Sequence, residues 1–201
     1  FARDGADLIG VGKRANRASP KQHAVSQLLV DYAQAGGRVV RLKSGDGGLF
    51  GRLEEELNAL RQAGIDYEII PGVPSAFAAA AAAGIPLTRR FTARRIQFVT
   101  GHDSSGELPK DMNLPALADP NATTVVFMGK RTFFQLQRLL EAHGLPANTS
   151  ALLAESVSTP QQKLTRTTVK ALADKLENET SSAPALIMYG PLAEGKIEHE
   201  P

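Results

Sequence analysis

The sequence predicts an α/β protein, because short runs rich in apolar and β-branched residues alternate with helical patterns along its 201 residues. Several helical segments also end alike before the next such run, in "AQAGG", "RQAGI", "AAAGI" and "EAHGL". A glycine at this point allows the left-handed turn that ends many helices. Helix, glycine and strand in repeated order are typical of an α/β protein with parallel strand pairing.

The predicted elements follow one another regularly. The strands are residues 7–11, 38–43, 67–70, 96–100, 123–128, 150–155, 163–168 and 185–189, and the helices are residues 20–35, 53–63, 75–83, 132–143 and 169–178. The helix at 53–63 illustrates the pattern, since Leu53, Leu57 and Leu60 share one face. Residues 54–56 are all glutamate and crowd its first turn, where the helix dipole favours negative charge.

A domain boundary is predicted within residues 84–95, "GIPLTRRFTARR", which carry a proline, four arginines and no hydrophobic period. The predicted N-terminal α/β domain is residues 1–88, and the C-terminal α/β domain is residues 95–201. The chain begins with Phe1 rather than methionine, so we expect a natural N-terminus upstream of it.

The composition excludes several classes of function. An apolar fraction of 42% and a charged fraction of 22% are typical of a soluble globular protein, and no apolar run has transmembrane length. The absence of cysteine excludes disulfides and thiolate chemistry, and it fits a cytoplasmic location. A net charge of +2 suits an anionic ligand but is too small to indicate nucleic acid. No histidines and carboxylates have ligand spacing, so no metal is expected.

Residues 44–51, "SGDGGLFG", stand between a predicted strand and a predicted helix. Ligands of open α/β sheets bind beyond the carboxyl ends of the strands. The glycines of this loop would expose backbone groups to a ligand, and Asp46 would suit ribose hydroxyls. The loop is neither a dinucleotide fingerprint, because Phe50 replaces the third glycine, nor a P-loop, because Gly-Lys-Ser/Thr is absent. An ordinary strand-to-helix turn is the alternative.

Small or polar residues follow other predicted strands as well. These stretches are "PGVPS" at 71–75, "TGHD" at 100–103, "MGK" at 128–130 and "ES" at 155–156. Their clustering at one end of several strands predicts a shared crevice, although each is by itself typical of a loop.

Several of these stretches together resemble the tetrapyrrole methylase family, and within it the uroporphyrinogen-III C-methyltransferases. The resemblance lies in "VGKRANRAS", "RVVRLKSGDGGLFGR", "AGIDYEIIPGVPSA", "AGIPLTRR", "FVTGH" and "PALIMYG", in order over nearly the whole chain. It implies two α/β domains enclosing a ligand cleft, a homodimer, S-adenosylmethionine as methyl donor and S-adenosylhomocysteine as product. The implied reaction methylates uroporphyrinogen III, an anionic tetrapyrrole, to precorrin-2, on the way to sirohaem and cobalamin.

The resemblance also assigns roles to single residues. Lys13 matches a lysine assigned as proton donor. The implied donor-binding residues are Ser44, Gly45, Asp46, Leu49, Pro74, Ser75, Met128, Val157 and Ala185. Substrate carboxylates are suited to arginine, and the candidates are Arg14, Arg41 and Arg52, then Arg17, Arg89 and Arg90.

The chain departs from the family pattern in three loops. Ser44, Pro74 and Val157 stand where the family has glycine, threonine and a small residue, and we expect them to weaken donor binding about tenfold or more. The family's first strand, and a catalytic aspartate upstream of Lys13, have no counterpart, which favours a truncated chain. Two alternatives stay open. The first is a methyltransferase of this fold acting on another precorrin or on RNA, and the second is a non-catalytic relative that binds a tetrapyrrole or S-adenosylhomocysteine.

Overall fold

The computed structural model describes residues 2–11 and 22–192. The chain divides into two compact units, Phe1–Val73 and Pro74–Pro201, which we call the first and second unit. The predicted domain boundary between residues 88 and 95 stays a prediction. No helix among the described residues is long and apolar enough to cross a membrane.

The first unit contains two helices that pack against each other, α1 (Gln22–Gln34) and α2 (Leu53–Gln62). Val25 and Val30 are buried on α1, and the buried residue of α2 is Glu56. Two of the three glutamates in the first turn of α2 are exposed to solvent, whereas the third, Glu56, points inward.

The strands predicted at residues 7–11, 38–43 and 67–70 are not formed, and these predictions are wrong. The segments lack the regular hydrogen-bonded ladder that makes a strand, and none exists among the described residues of the first unit. Their apolar side chains are correspondingly exposed: Leu8, Val40 and Ile70 have relative exposures of 80%, 76% and 74%.

The second unit is built around a five-stranded sheet. Its strands are β1 (Arg95–Thr100), β2 (Ala122–Phe127), β3 (Ser150–Glu155), β4 (Lys163–Thr168) and β5 (Ala185–Tyr189), in the order β1-β2-β5-β3-β4. The predicted parallel pairing is confirmed for β1 with β2 and is wrong for the other three pairs, which are antiparallel. The turn between β3 and β4 is too short for a parallel crossover, and β5 inserts between β2 and β3 in the opposite direction.

Helices cover both faces of this sheet. They are α3 (Ser75–Ala83), the short α4 (Leu114–Leu117), α5 (Phe133–Ala142) and α6 (Val169–Glu177). Alternate strand residues face opposite ways: Leu153 and Ile187 pack in the cluster that contains α5 and α6, whereas Leu152 and Leu186 pack in the cluster that contains α3. The two clusters make the second unit a three-layered α/β body, and the predicted α/β class is confirmed.

The predicted glycine turns after four helices are confirmed. Gly36, Gly64, Gly84 and Gly144 have φ of 86°, 66°, 65° and 93°, in the left-handed region. After α2, the Ile65 amide donates to the Leu60 carbonyl, which closes the helix end in the manner of a Schellman motif.

Candidate functional site

The glycine loop, residues 44–51, is tied to the rest of the first unit through Asp46. One carboxylate oxygen of Asp46 accepts the Gly48 amide at 2.7 Å, and the other accepts the Gly72 amide at 2.8 Å. The hydrogen bonds from Gly72 and then Gly48 hold the pKa of Asp46 below its usual value. Asp46 therefore carries a full negative charge at neutral pH, and it fixes the loop to the backbone at Gly72.

Glycine is required in this loop for two separate reasons. Gly45 has a φ of 70°, which other residues rarely adopt. A side chain at Gly72 would overlap the Gly45 carbonyl, and one at Gly51 would overlap the Gly47 carbonyl. The predicted flexible loop is thus a closely packed backbone turn, with Leu49 partly buried and Ser44 exposed at its start.

The arginines predicted to bind substrate in the first unit are paired with glutamates of α2. Arg41 Nε lies 3.1 Å from Glu56 Oε1, and Arg52 contacts both carboxylate oxygens of Glu55 at 2.6 and 2.7 Å. Both guanidinium groups are therefore held in place by the protein itself. Lys13, Arg14 and Arg17 lie outside the described residues.

In the second unit, three predicted donor-binding residues lie along one edge of the sheet. Strands β2 and β3 end there and β5 begins, and the register pairs Phe127 and Ala154 with Leu186 and pairs Glu155 with Ala185. Met128 follows β2 at this edge, and Val157 follows β3. We call the stretches 100–102, 128–130, 155–157 and 184–185 the sheet edge.

The backbone at the sheet edge is tightly turned. Met128 and Ser156 have φ of 56° and 47°, which is uncommon for residues other than glycine. A side chain at Gly101 would overlap the Gly129 backbone, and the Thr132 hydroxyl donates to the Gly101 carbonyl at 2.5 Å. The ends of β1 and β2 are thereby held in direct backbone contact.

A buried ion pair crosses the sheet edge, and sequence reasoning missed it. Lys130 Nζ lies 2.7 Å from Glu155 Oε1, with side-chain exposures of 13% and 10%. It links the ends of β2 and β3 across the beginning of β5. Its members are 25 residues apart, so no local pattern indicates their contact.

The remaining predicted residues have ordinary local surroundings. Pro74 is the N-cap residue of α3, and Ser75 is the exposed first residue of that helix. His102 Nδ1 lies 3.0 Å from the Asp103 carbonyl oxygen. The Arg90 guanidinium lies 5.5 Å from the centre of the Phe91 ring.

A profile of the family described as Tetrapyrrole (Corrin/Porphyrin) Methylases matches residues 3–173, which is most of the chain. The chain belongs to this family. The resemblance noted from the sequence motifs is therefore confirmed.

Curated relatives of this tetrapyrrole methylase are similar over almost its whole length. It is 43% identical over 188 residues to siroheme synthase 1 of Aeromonas hydrophila, covering 94% of this chain and 40% of that protein. It is 40% identical over 189 residues to the chloroplastic S-adenosyl-L-methionine-dependent uroporphyrinogen III methyltransferase of Arabidopsis thaliana, covering 94% of this chain and 51% of that protein. The chain thus spans about half the length of these relatives, or less.

A solved structure with a bound product is also similar. Uroporphyrin-III C-methyl transferase from Thermus thermophilus, complexed with S-adenyl homocysteine, matches with a TM-score of 0.73 and 32% identity, over 85% of this chain and 74% of that one. The tetrapyrrole methylase fold class that the motifs predict is confirmed by this match.

Proposed function

We propose that the protein is an S-adenosylmethionine-dependent C-methyltransferase that converts uroporphyrinogen III to precorrin-2. The similarity to a uroporphyrinogen III methyltransferase over 94% of the chain is the observation that carries this proposal. The motifs "VGKR" and "TGH" favour a tetrapyrrole over RNA as the methyl acceptor.

The residues present fit a methyl donor that carries hydroxyl groups. Each carboxylate oxygen of Asp46 accepts one backbone amide and has a further lone pair for a ligand hydroxyl. At the sheet edge, Gly129 is buried and leaves no room for a side chain, because an added Cβ would lie 2.6 Å from Val126 Cγ1. We infer that the glycine loop contributes to donor binding, and the family resemblance assigns Met128, Val157 and Ala185 of the sheet edge to the same role.

When bound, S-adenosylmethionine supplies an electrophilic methyl group on a sulfonium. The contribution of the chain is mainly to hold the reactants in line, which supplies much of the rate enhancement in such displacements. We assign Lys13 as proton donor and Arg14, Arg41 and Arg52 as groups that orient substrate carboxylates. Arg41 and Arg52 are pre-positioned for this by Glu56 and Glu55.

Titration calorimetry with S-adenosylhomocysteine, together with mass spectrometry of uroporphyrinogen III incubated with S-adenosylmethionine, tests the proposal. We expect product binding and the addition of two methyl groups. Asp46→Asn should weaken S-adenosylhomocysteine binding about tenfold or more, because charge-assisted hydrogen bonds are lost. The exposed Asp66→Asn is the matched control and should bind normally. Wild-type protein that binds no S-adenosylhomocysteine would refute the donor assignment.

The role of Lys13 has a separate kinetic test. Lys13→Ala should lower turnover far more than donor affinity, because a proton donor acts on the substrate. Equal losses in both would mean that Lys13 is a structural residue.

A non-catalytic relative is the second candidate, favoured by the departures at three donor positions. Ser44→Gly, Pro74→Thr and Val157→Gly together should tighten S-adenosylhomocysteine binding about tenfold if these residues obstruct the donor. Val157 packs partly in the core cluster with α3, so the unfolding free energy must be measured alongside. Product binding without methyl transfer in both proteins would establish the non-catalytic alternative.

The expected homodimer is also part of the proposal. Light scattering coupled to size exclusion should give twice the 21.4 kDa chain mass. A monomer mass at micromolar concentration would contradict it.

A further inference from the structure

The side chain of Lys43 runs beside the glycine loop and contacts Gly47 and Gly51. Its ammonium group donates to the carbonyl of Gly51, at the far end of the loop. Its aliphatic part packs against Gly47: a Cβ added at Gly47 would lie only 3.1 Å from Lys43 Cδ. One side chain thus joins the residue before the loop to the last residue of the loop.

Glu56 on α2 holds this lysine. Glu56 Oε2 lies 2.7 Å from Lys43 Nζ, and Glu56 Oε1 accepts from Arg41 Nε at 3.1 Å and from Gln22 Nε2 at 3.2 Å. Glu56 is 2% exposed, and the side chain of Lys43 is 14% exposed. A buried charge is tolerated only when it is paired and hydrogen-bonded, and these partners satisfy that requirement.

The glycine loop therefore has two ties, which act together to order it. Asp46 fixes its middle to Gly72, whereas Lys43 fixes its end at Gly51 to α2. A loop that is ordered before a ligand arrives loses less conformational entropy on binding. If the binding-competent form is only partly populated, the apparent affinity falls by that fraction.

We propose that Lys43 and Glu56 are positioning residues that hold the glycine loop in its ligand-binding conformation, without themselves touching the ligand. This inference rests on the proposed function, in which the glycine loop binds the methyl donor. It adds to that function a determinant of donor affinity outside the predicted donor-binding residues.

The test compares Lys43→Met and Glu56→Gln with Glu54→Gln. Glu54 lies in the same first turn of α2, is exposed and has no role in the proposed function, so it is a matched control. Two quantities are measured in each full-length variant: hydrogen exchange of the Gly48 and Gly72 amides, and the dissociation constant of S-adenosylhomocysteine.

We expect Lys43→Met and Glu56→Gln to raise exchange at the loop amides about tenfold and to raise the dissociation constant by a similar factor. Exchange in the sheet of the second unit should not change, because the lost contacts are local. Glu54→Gln should leave both quantities at their wild-type values. A merely structural role would instead raise exchange throughout the protein and lower its melting temperature.

The double variant K43M/E56Q covers the case in which a single variant does not fold. It removes the lysine and the carboxylate charge together, so neither partner of the pair is left uncompensated, while the tie to Gly51 is still lost. It should show the same local exchange and the same weaker binding. Unchanged exchange at Gly48 and Gly72, or weaker binding without faster loop exchange, would overturn the inference.

Failure of the proposed function gives a different result. If wild-type protein binds no S-adenosylhomocysteine, the donor assignment falls, while faster loop exchange in Lys43→Met would still establish the tie. If wild-type protein binds and the variants bind equally well, the positioning role falls and the donor assignment stands.

Discussion

The two units respond differently to similar strand-like sequences. In the second unit, five such segments form a sheet and bury residues such as Leu153 and Ile187 almost completely. In the described part of the first unit, three such segments form no strand, and Leu42 is 79% exposed. An apolar, β-branched run therefore does not make a strand by itself, because a strand also needs a neighbour to pair with and a surface to pack against.

The largest expected effect of this difference concerns independent folding. Both core clusters consist of residues from the second unit, whereas the buried apolar residues of the first unit are Val25 and Val30. We expect residues 74–201 alone to unfold cooperatively on heating, and residues 1–73 alone to show no cooperative transition. Circular dichroism of the two separate segments measures this. A cooperative transition in residues 1–73 would remove the contrast between the units.

The next largest effect compares the same substitution in both units. Leu153→Ala should lower the unfolding free energy by about 2–5 kcal/mol, because it opens a cavity at a fully buried position. Leu42→Ala should change it by less than about 0.5 kcal/mol, because Leu42 is largely exposed. Denaturant unfolding of each variant gives these values, and equal losses would mean that residue 42 is buried in solution.

The strands of the second unit could be predicted from sequence, whereas the direction of three of its four strand pairs could not. Each of its five strands is confirmed to within one residue at either end, because strand, helix and turn patterns agree with one another there. The missed α4 has four residues, too few for a helical period. Its one signal is Asn113, whose side chain accepts the Ala116 amide as an N-cap followed by a proline.

The charged contacts of the candidate site could not be predicted from sequence. Asp46 and the loop glycines were found because they stand together in one stretch. Lys43 with Glu56, and Lys130 with Glu155, meet only after the chain has folded. The burial of Glu56 could not be recognised in the sequence, because three successive glutamates suggest a solvated helix start rather than one buried carboxylate.

A smaller effect on stability is expected from the buried hydroxyl groups of the second unit. The Tyr189 hydroxyl is buried in the second unit and donates to the Leu117 carbonyl at 2.9 Å. Tyr189→Phe should cost about 0.5–1.5 kcal/mol of unfolding free energy, because that hydrogen bond is lost. Thr132→Val, at a second buried hydroxyl that donates to a carbonyl, should cost a similar amount.

The Tyr189 contribution also has a defined pH range. Burial raises the pKa of Tyr189 far above its usual value, so the folded protein keeps it protonated. Its contribution is therefore complete below about pH 10 and is lost as the pH rises further, where the unfolded tyrosine ionises. As the pH rises above about 10, the unfolding free energy of Tyr189→Phe should therefore fall less than that of wild-type protein. Equal alkaline losses would mean that Tyr189 is accessible to hydroxide.

The smallest effect is local and concerns Asp46 in the first unit. Its lowered pKa arises from the Gly72 and Gly48 amides, so its contribution is present above the ordinary aspartate pKa of about 3.9 and is lost as the pH falls through the lower folded value. The amide proton shifts of Gly48 and Gly72 should therefore titrate together, with a midpoint below about 3.9. Asp46→Asn should abolish this titration, whereas Asp66→Asn, at an exposed residue of the same unit, should leave it unchanged. A midpoint at the ordinary value would mean that the two hydrogen bonds are not maintained in solution. The glycine loop would then be ordered through Lys43 alone, and donor affinity should depend on Glu56 more strongly than on the charge of Asp46.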